Sequence, residues 1–544
     1  MDERKIKDLP LGTSDFIALR MADQLYVDKT DLVYKIASVR RKYFFSRPRR
    51  FGKSLLISTF EALFKYGVKY FEGLAIEKLW KEHKEYKIVR LDFSEIKPLF
   101  GLNKFCKDLT GLIIDKFSSL GFEYKSSELS LFRQLSSWME EQEPSSLVIL
   151  IDEYDAPLTS CLNDEYDAPL TSCLNDPILF EQIRSLLAEF YSVIKANDSS
   201  LRFVFITGNT KFNKTSIFSE LNNLKDLTLD VGFGTLLGYT HDEIQRYFLP
   251  YLHEAASTLN ISDKELLEKL TRQYDGFCFE RTASKHVFAP WSLLNFFSYP
   301  ENGLVDYWFE SGGKPSVLVE YLKSHALRHP EEYSREKTIS LSELSGSADI
   351  QTVSDLGLLV QAGYLTIKSV EYGDTVYLDY PNLEVRRAMA RLYLERLLSG
   401  RVAGQVGAGP IVKVLSEENT ESLFHILNRL FSSIDYYKYP VRDEASLRAY
   451  VQVYMAGAGL EPKIEHHNAF GRSDLEVRAG ERYWILELKV VRGEESSKEK
   501  LREGVAQMLS RHYGDEGVSK EKIRAVLVYS IEKKQFVKWQ EVSS

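Results

Sequence analysis

The sequence predicts an α/β protein of more than one domain. Three observations carry that prediction. At 544 residues the chain is too long for a single core. Its first part alternates short, continuous apolar runs with helical stretches, the pattern of a parallel sheet joined by crossover helices. Its last part follows a glycine-rich stretch and again mixes helix and strand. The expected division is residues 1–235 for the first α/β domain, 236–398 for a helical region, 399–410 for a linker and 411–544 for the second α/β domain.

Each element follows from its local pattern. Lys42–Ser46, KYFFS, is a short apolar strand, and Lys53–Tyr66 has the spacing of a helix. Lys87–Ser94 is a further strand. Ser146–Asp152, SLVILID, and Leu201–Gly208, LRFVFITG, are continuous apolar runs, as expected of strands covered on both faces. Between Thr240 and Leu398 helical patterns dominate, and both DEIQRYFLPYLHEAA and DKELLEKLTRQY are amphipathic. SDLGLLVQAGYLTIKS and then DTVYLDYP predict a helix followed by two strands. That order is compatible with a winged helix, or with a small lid that has no nucleic-acid role. Ser399–Pro410, SGRVAGQVGAGP, has the glycine content of a linker. Beyond it come an amphipathic helix over Arg442–Leu460, a hairpin over Phe470–Gly493, a second helix in SSKEKLREGVAQMLSRHY and a buried strand over Ile523–Ser530.

Composition excludes several classes. Lys and Arg total 70 against 78 Asp and Glu, a net charge of −8. That argues against a generally basic nucleic-acid coat while leaving room for a local cationic groove. Hydrophobic residues at 44% and charged residues at 27% are an ordinary soluble balance. No apolar run reaches membrane-spanning length, and MDERKIKDLP is too charged for a signal peptide, so no membrane partner is expected. Cys106, Cys161, Cys173 and Cys278 form no C-x-x-C pair. Neither a zinc site nor a disulfide framework is indicated, and a reducing, cytoplasmic setting is expected. Two of these cysteines belong to a duplication: DEYDAPLTSCLN at Asp152–Asn163 recurs letter for letter at Asp164–Asn175. Two copies do not make a solenoid.

Ser46–Ser54, SRPRRFGKS, ends as a phosphate-binding loop does. That chemistry needs backbone N–H groups around a phosphate, a lysine at the terminal phosphates and a hydroxyl on Mg²⁺. Gly52 lets the backbone approach closely, and Lys53 and Ser54 are the right residue types between a strand and a helix. Arg47 stands where the first glycine of the pattern belongs, and Pro48 removes a donor, so the front of the loop should have a different shape. LVILIDEYD supplies a second acidic motif. Asp152 ends a buried strand, where it can hold the Mg²⁺ shell, and Glu153 can polarise an attacking water. The alternative is a carboxylate pair capping the next helix. Thr207 and Asn209 end another strand, either to sense a γ-phosphate or water or as a simple polar pair. Asp164 and Glu165 follow no apolar strand and are not given this role.

The third region carries a second chemistry in FGRSDLEVRAGERYWILELKVVRG. Trp484, Leu486 and Leu488 share one face of a strand, and Tyr483, Ile485, Glu487 and Lys489 share the other. With Ala479–Arg482 as a four-residue loop, Arg478 pairs with Tyr483, Val477 with Trp484 and Asp474 with Glu487. Opposed side chains have Cβ atoms about 4.5–5.5 Å apart. Two carboxylates that close destabilise a sheet unless a cation lies between them, and Mg²⁺ takes one or two protein carboxylates. Lys489, next along the same face, is placed to orient or activate a water. This D…E-x-K constellation is that of metal-dependent phosphodiester cleavage. The alternative is a solvated hairpin face with an ordinary Glu487–Lys489 pair. His466 and His467 point to opposite faces, so joint metal ligation is not expected.

YVDKT (Tyr26–Thr30), SRPRRFGKS, LIDEYDAPL, FITGNTKF with SIFSELNNL, YDGFCF (Tyr274–Phe279) and YWFESG (Tyr307–Gly312) together resemble the bacterial AAA-ATPase-like family fused to a PD-(D/E)XK nuclease domain. The resemblance runs over nearly the whole chain, in the family's order. It implies an N-terminal P-loop NTPase sheet and a C-terminal restriction-endonuclease-like fold. It also implies that the arginine-rich loop is the family's usual form. Arg47, Arg49, Arg50 and Phe51 then join Gly52, Lys53, Ser54, Asp152, Thr207 and Asn209 in the nucleotide site. Beside Asp474, Glu487 and Lys489, it implies roles for Glu444 as a further metal-shell acid and for Gln507 as an accessory residue. On the residues alone, Glu444 is equally a helix-start acid and Gln507 equally a solvent-facing helix residue. The duplicated segment departs from the family pattern just beyond Glu153.

The expected protein therefore has two modules. An ATP-binding domain, with Ser54 and Asp152 at its Mg²⁺, controls a nuclease that acts on DNA in preference to RNA. The nuclease metal, Mg²⁺ or in its place Mn²⁺, falls to Asp474, Glu487 and Glu444. Arg472, Arg478, Lys489, Lys498 and Lys500 are candidates for the cationic groove, and a homo-oligomer is compatible with this reading. The alternative is an ATP-driven switch whose C-terminal domain binds nucleic acid or a partner protein without cutting.

Overall fold

A computed structural model describes residues 6–543 apart from 97–100, 127–128, 160–176, 212–222, 311–328, 347–353, 469–470, 494–495 and 511–520, and leaves the side chains of 465–472 outside it. Asp164, Glu165 and most of SIFSELNNL therefore lie outside the described residues, as do the side chains of His466, His467 and Arg472. The chain forms two compact units. One comprises Met1–His325 with Glu336–Glu384, the other Ala326–Arg335 with Val385–Ser544.

The first unit is built on a parallel sheet. Its strands are β1 (Arg41–Ser46), β2 (Lys87–Asp92), β3 (Leu147–Asp152), β4 (Leu201–Gly208) and β5 (Leu224–Asp226), in the order β2-β3-β4-β1-β5. Helix α1 (Lys53–Tyr66) follows β1. Every residue of β3 and β4 is buried, which is why both appear in the sequence as continuous rather than alternating apolar runs. The register sets Phe45 beside Thr207 and Asp92 beside Asp152, so β1, β2, β3 and β4 finish at one edge. In open α/β sheets that carboxyl edge is where ligands bind. The strand expected over Lys87–Ser94 ends at Asp92. Its carboxylate accepts the Ser94 N–H at 2.9 Å and starts a 3₁₀ turn over Phe93–Glu95.

The helical part of this unit differs from expectation at one point. DEIQRYFLPYLHEAA forms two helices, α2 (His241–Tyr247) and α3 (Leu249–Thr258), with Phe248 as the joint. Pro250 causes the break, because it has no N–H to continue the ladder. Helix α4 (Asp263–Tyr274) packs with them around Leu252, Leu266, Leu270, Phe288 and Phe296. Further along come β6 (Lys337–Ser340), a short helix over Leu341–Ser345, α5 (Asp355–Gln361), β7 (Thr366–Glu371) and β8 (Thr375–Asp379). The three strands form a small antiparallel sheet in the order β6-β8-β7. The turn between β7 and β8 sets Tyr372, 94% exposed, between Glu371 and Asp374.

The second unit contains α6 (Glu444–Gly457), β9 (Lys463–Asn468), β10 (Gly471–Ala479), β11 (Arg482–Val491), α7 (Ser497–Ser510), β12 (Glu521–Ser530) and β13 (Gln535–Glu541). The sheet order is β13-β12-β11-β10-β9, with β11 and β12 parallel and the other pairs antiparallel. The hairpin loop is shorter than expected. Ala479 pairs with Arg482, which leaves Gly480 and Glu481 as a two-residue turn with Gly480 at φ +59°. The expected pairs Val477–Trp484 and Arg478–Tyr483 both form. Ile485 packs against Met508 of α7 and Val526 of β12, so α7 covers the face that also carries Glu487 and Lys489. Within Ser399–Pro410, Ala403–Val406 forms a 3₁₀ turn and buried Ala408 accepts the Tyr454 hydroxyl at 2.5 Å.

Candidate functional site

At the carboxyl edge of the first sheet, Lys53 is the hub. Its ammonium donates to the carbonyls of Arg47 at 3.1 Å and Pro48 at 3.2 Å and to Asn209 Oδ1 at 2.8 Å. Asn209 passes the contact on, since its Nδ2 donates to Glu153 Oε2. Glu153 sits at φ +50°, a backbone conformation that non-glycine residues rarely adopt and that clusters at active sites. Burial pushes the Lys53 pKa down, against the opposing charges of Glu153, Asp152 and Asp155. Burial pushes the Asp152 and Glu153 carboxyls up, with the Ser54 hydroxyl opposing the shift at Asp152 and Lys53 opposing it at Glu153. Asp152 Oδ1 accepts the Glu153 N–H at 3.0 Å, while Oδ2 is buried without a hydrogen bond of normal geometry among the described residues. A buried carboxylate oxygen beside a loop serine is the donor set that a Mg²⁺ ion fits.

The arginine-rich loop divides its labour. Gly52, at φ +96°, caps α1, where a side chain would be strained. Arg49 is exposed and close enough to shift both Lys53 and Glu153. Arg50 lies with its guanidinium 4.3 Å from the Trp291 ring. Arg47 does not face the nucleotide position. It is 1% exposed and donates to the carbonyls of Ser46 at 2.9 Å, Thr228 at 2.8 Å and Phe233 at 3.2 Å. The rings of Phe45 and Phe279 lie 4.2 and 4.5 Å from its guanidinium. Burial pushes its pKa down to about 9, which still leaves it charged at neutral pH. Phe51 is likewise inside, edge-on to Phe277 and Phe279 at 5.0 Å each. Thr207 is fully buried and donates to the Phe45 carbonyl at 2.7 Å, tying β4 to β1. Lys53, Ser54, Asp152, Glu153 and Asn209 thus converge, with Arg49 at the rim, while Arg47, Phe51 and Thr207 support them from behind.

One residue of this site escaped the sequence reading. Asp155 is 2% exposed and accepts the N–H groups of Asn209 at 3.2 Å and Thr210 at 2.9 Å, plus the Thr210 hydroxyl at 2.7 Å. It positions the turn that carries Asn209. The available signal was its place in LIDEYD, two residues past Glu153.

In the second unit the β10–β11 pairing runs from Ala479–Arg482 to Leu475–Leu486, and Asp474 and Glu487 are the next residues beyond the last pair. Asp474 Oδ2 accepts the Leu488 N–H at 2.9 Å, and Oδ1 lies 3.0 Å from Arg448 Nη1. Glu487 is fully buried, and the Lys489 ammonium lies 3.0 Å from its Oε1. Lys489 also donates to Gln507 Oε1 at 2.8 Å, so Gln507 faces this site rather than solvent. Glu444 is not the cap of α6, a role that Asp443 fills. Its Oε1 instead accepts the Val490 N–H of β11 at 3.3 Å. Among the described residues no three His, Cys, Asp or Glu side chains converge with metal-holding geometry. Glu444 and Asp474 each accept a β11 backbone N–H, that of Val490 and that of Leu488, on either side of Lys489. Asp474, Glu487 and Glu444 are hard oxygen donors of the kind that Mg²⁺ takes. Of the groove candidates, Lys498 and Arg478 are exposed, and Lys500 pairs with Glu503 at 3.0 Å. Arg448 was missed in the sequence, where its only signal is its spacing of four from Glu444.

Fold and sites define the class: a P-loop ATPase-like domain followed by a PD-(D/E)XK nuclease-superfamily domain. The model of the predicted AAA-ATPase family matches residues 10–164 and 159–218, and that of the PD-(D/E)XK nuclease superfamily matches residues 442–540. The two pieces of the first match overlap inside the duplicated segment. The "Uncharacterized protein in vnfD 5'region" of Azotobacter chroococcum mcd 1 is 30% identical over 498 residues, covering 89% of this chain and 90% of that protein. The chain belongs to the family of predicted AAA-ATPases that carry a C-terminal PD-(D/E)XK nuclease-superfamily domain. A Walker-type ATPase of Pyrococcus abyssi, PABY2304, is similar at 14% identity and a TM-score of 0.31, covering 66% of this chain and 93% of that one. Among the described residues no helix is long and apolar enough to cross a membrane.

Proposed function

We propose that this protein hydrolyses ATP in its first unit and cuts nucleic acid, DNA in preference to RNA, in its second. The observation that carries the nuclease reading is the meeting of Glu487, Lys489 and Gln507 beside Asp474, which accepts the Leu488 N–H between Glu487 and Lys489. A fully buried carboxylate and a lysine 9% exposed, on a strand otherwise apolar, cost folding free energy and mark a functional site. Asp474 and Glu487 offer hard oxygen donors suited to Mg²⁺ or Mn²⁺, which when bound supplies charge stabilisation and a more acidic water. Lys489, held by Gln507 and Glu487, orients the attacking water and neutralises charge gathering on the phosphate. Glu444 fixes the β11 backbone from which Glu487 and Lys489 project.

In the first unit, Ser54 and Asp152 would hold Mg²⁺, Lys53 would meet the terminal phosphates and Glu153 would polarise the water. Asn209, bonded to both Lys53 and Glu153, links the lysine that would meet the phosphates to the carboxylate that would polarise the water. The test is plasmid nicking in Mg²⁺, together with ATP turnover, for four proteins. Asp474→Ala and Glu487→Ala should lose cutting and keep ATP turnover, and Lys53→Ala should lose turnover. Undiminished cutting by both acid variants removes the nuclease assignment.

A further inference from the structure

We infer that Arg448 is a resident counter-cation of the C-terminal site, one that Asp474 must release before the site can take a divalent ion. The inference rests on the nuclease reading of that site and adds a residue to it. Glu444 and Arg448 stand one turn apart on α6, so their side chains leave the helix on the same side. Glu444 reaches the Val490 N–H, and Arg448 reaches Asp474 Oδ1 at 3.0 Å. The Arg448–Asp474 pair is largely buried, with side-chain exposures of 12% and 18%. Asp474 is gripped from both sides, by the guanidinium at Oδ1 and by the Leu488 N–H at Oδ2.

The charges explain the arrangement. Lys489 answers Glu487 at 3.0 Å, and Arg448 answers Asp474 at 3.0 Å. Carboxylates taken out of water in a low dielectric each need a nearby cation. The two side-chain cations meet that need, so the unit folds without metal. The same contact sets a cost on loading: Asp474 cannot give Oδ1 to Arg448 and to a divalent ion at full strength. Arginine suits a group that changes partner. It stays charged when displaced, and its planar fork matches phosphate as well as carboxylate. A released Arg448 therefore gains a new partner when a phosphodiester arrives, so substrate should favour metal loading.

The test is calorimetric titration of the full-length chain with Mn²⁺ in the absence of nucleotide. Glu487→Gln identifies which binding belongs to this site. Arg448→Met keeps the length of the side chain and removes the charge, and Arg448→Lys keeps a charge. Relief of the competing cation should tighten Mn²⁺ binding about tenfold in Arg448→Met and leave Arg448→Lys within about threefold of wild type. A phosphorothioate-protected DNA duplex should tighten Mn²⁺ binding to wild type but not to Arg448→Met. Binding unchanged or weaker in Arg448→Met would mean that the guanidinium only orients Asp474, and would overturn the inference while leaving the nuclease reading intact. Absence of any Glu487-dependent Mn²⁺ site in wild type would sink both. Melting curves without metal show whether each variant is folded.

Discussion

Arg47 replaces the glycine with which a phosphate loop usually begins, and its surroundings explain how a bulky cation is tolerated there. The side chain leaves the loop and enters a box of carbonyls and aromatic rings. The box suits guanidinium geometry: hydrogen bonds fan out in one plane while Phe45 and Phe279 meet the charge through their faces. Lysine has neither the fork nor the plane, so Arg47→Lys should lose about 3 kcal/mol of stability, with buried carbonyls left unpaired. Urea unfolding of the full chain checks this, and an unchanged midpoint would show that the box is incidental. Glu153 yields a pH prediction. Burial raises its pKa above the usual carboxylate range, so it keeps its proton to a higher pH than an ordinary glutamate. A water-polarising carboxylate must be ionised, so kcat/KM for ATP, which reports the free enzyme, should rise with pH through that raised value. A profile flat down to the ordinary glutamate range would remove Glu153 from that role, and Glu153→Gln should abolish turnover.

Helix α7 passes so close to the sheet that one residue admits no side chain. A Cβ added at Gly504 would lie 2.5 Å from Val526 Cγ1 and 3.4 Å from Lys489 Cγ. Gly504→Ala should cost about 1–3 kcal/mol by overpacking. Because the displaced helix carries Gln507 and presses on Lys489, nicking should fall further than stability does. Comparing the denaturation midpoint with the nicking rate decides the point, and a stable, fully active Gly504→Ala protein would refute the close-packing argument. Elements whose neighbours enforce one pattern were legible from sequence. β3 and β4 are continuous apolar runs because both their faces are covered, and α4 shows its period because one face is wet. The pairings Val477–Trp484 and Arg478–Tyr483 were legible because strand alternation and a short turn leave few registers. The length of that turn was not, since it depends on Gly480 adopting positive φ. The box around Arg47 was also hidden, because Thr228, Phe233 and Phe279 come from segments far along the chain. Asp155 and Arg448 act through pairings that no local pattern announces.

Two units, each with its own proposed ligand, make the molecule a linkage problem that can be settled without knowing how the units are disposed. Binding to the folded state alone stabilises it, by about 2.7 kcal/mol at a ligand concentration one hundred times Kd. Mg²⁺–ATP should therefore raise the melting of the unit that holds Lys53, and Mn²⁺ without nucleotide that of the unit that holds Glu487. Lys53→Ala should erase the first shift and spare the second, and Glu487→Gln should do the reverse. Control of cutting by nucleotide demands more than two independent shifts. If ATP changes the affinity of the second site for Mn²⁺ by some factor, Mn²⁺ must change the affinity of the first site for ATP by the same factor. Titrating each ligand in the presence and absence of the other measures both factors in one set of proteins. Equal factors different from one establish coupling and give its free energy. Factors of one in both directions would mean that this chain joins two activities with no thermodynamic communication, and control of the nuclease by ATP would have to be abandoned.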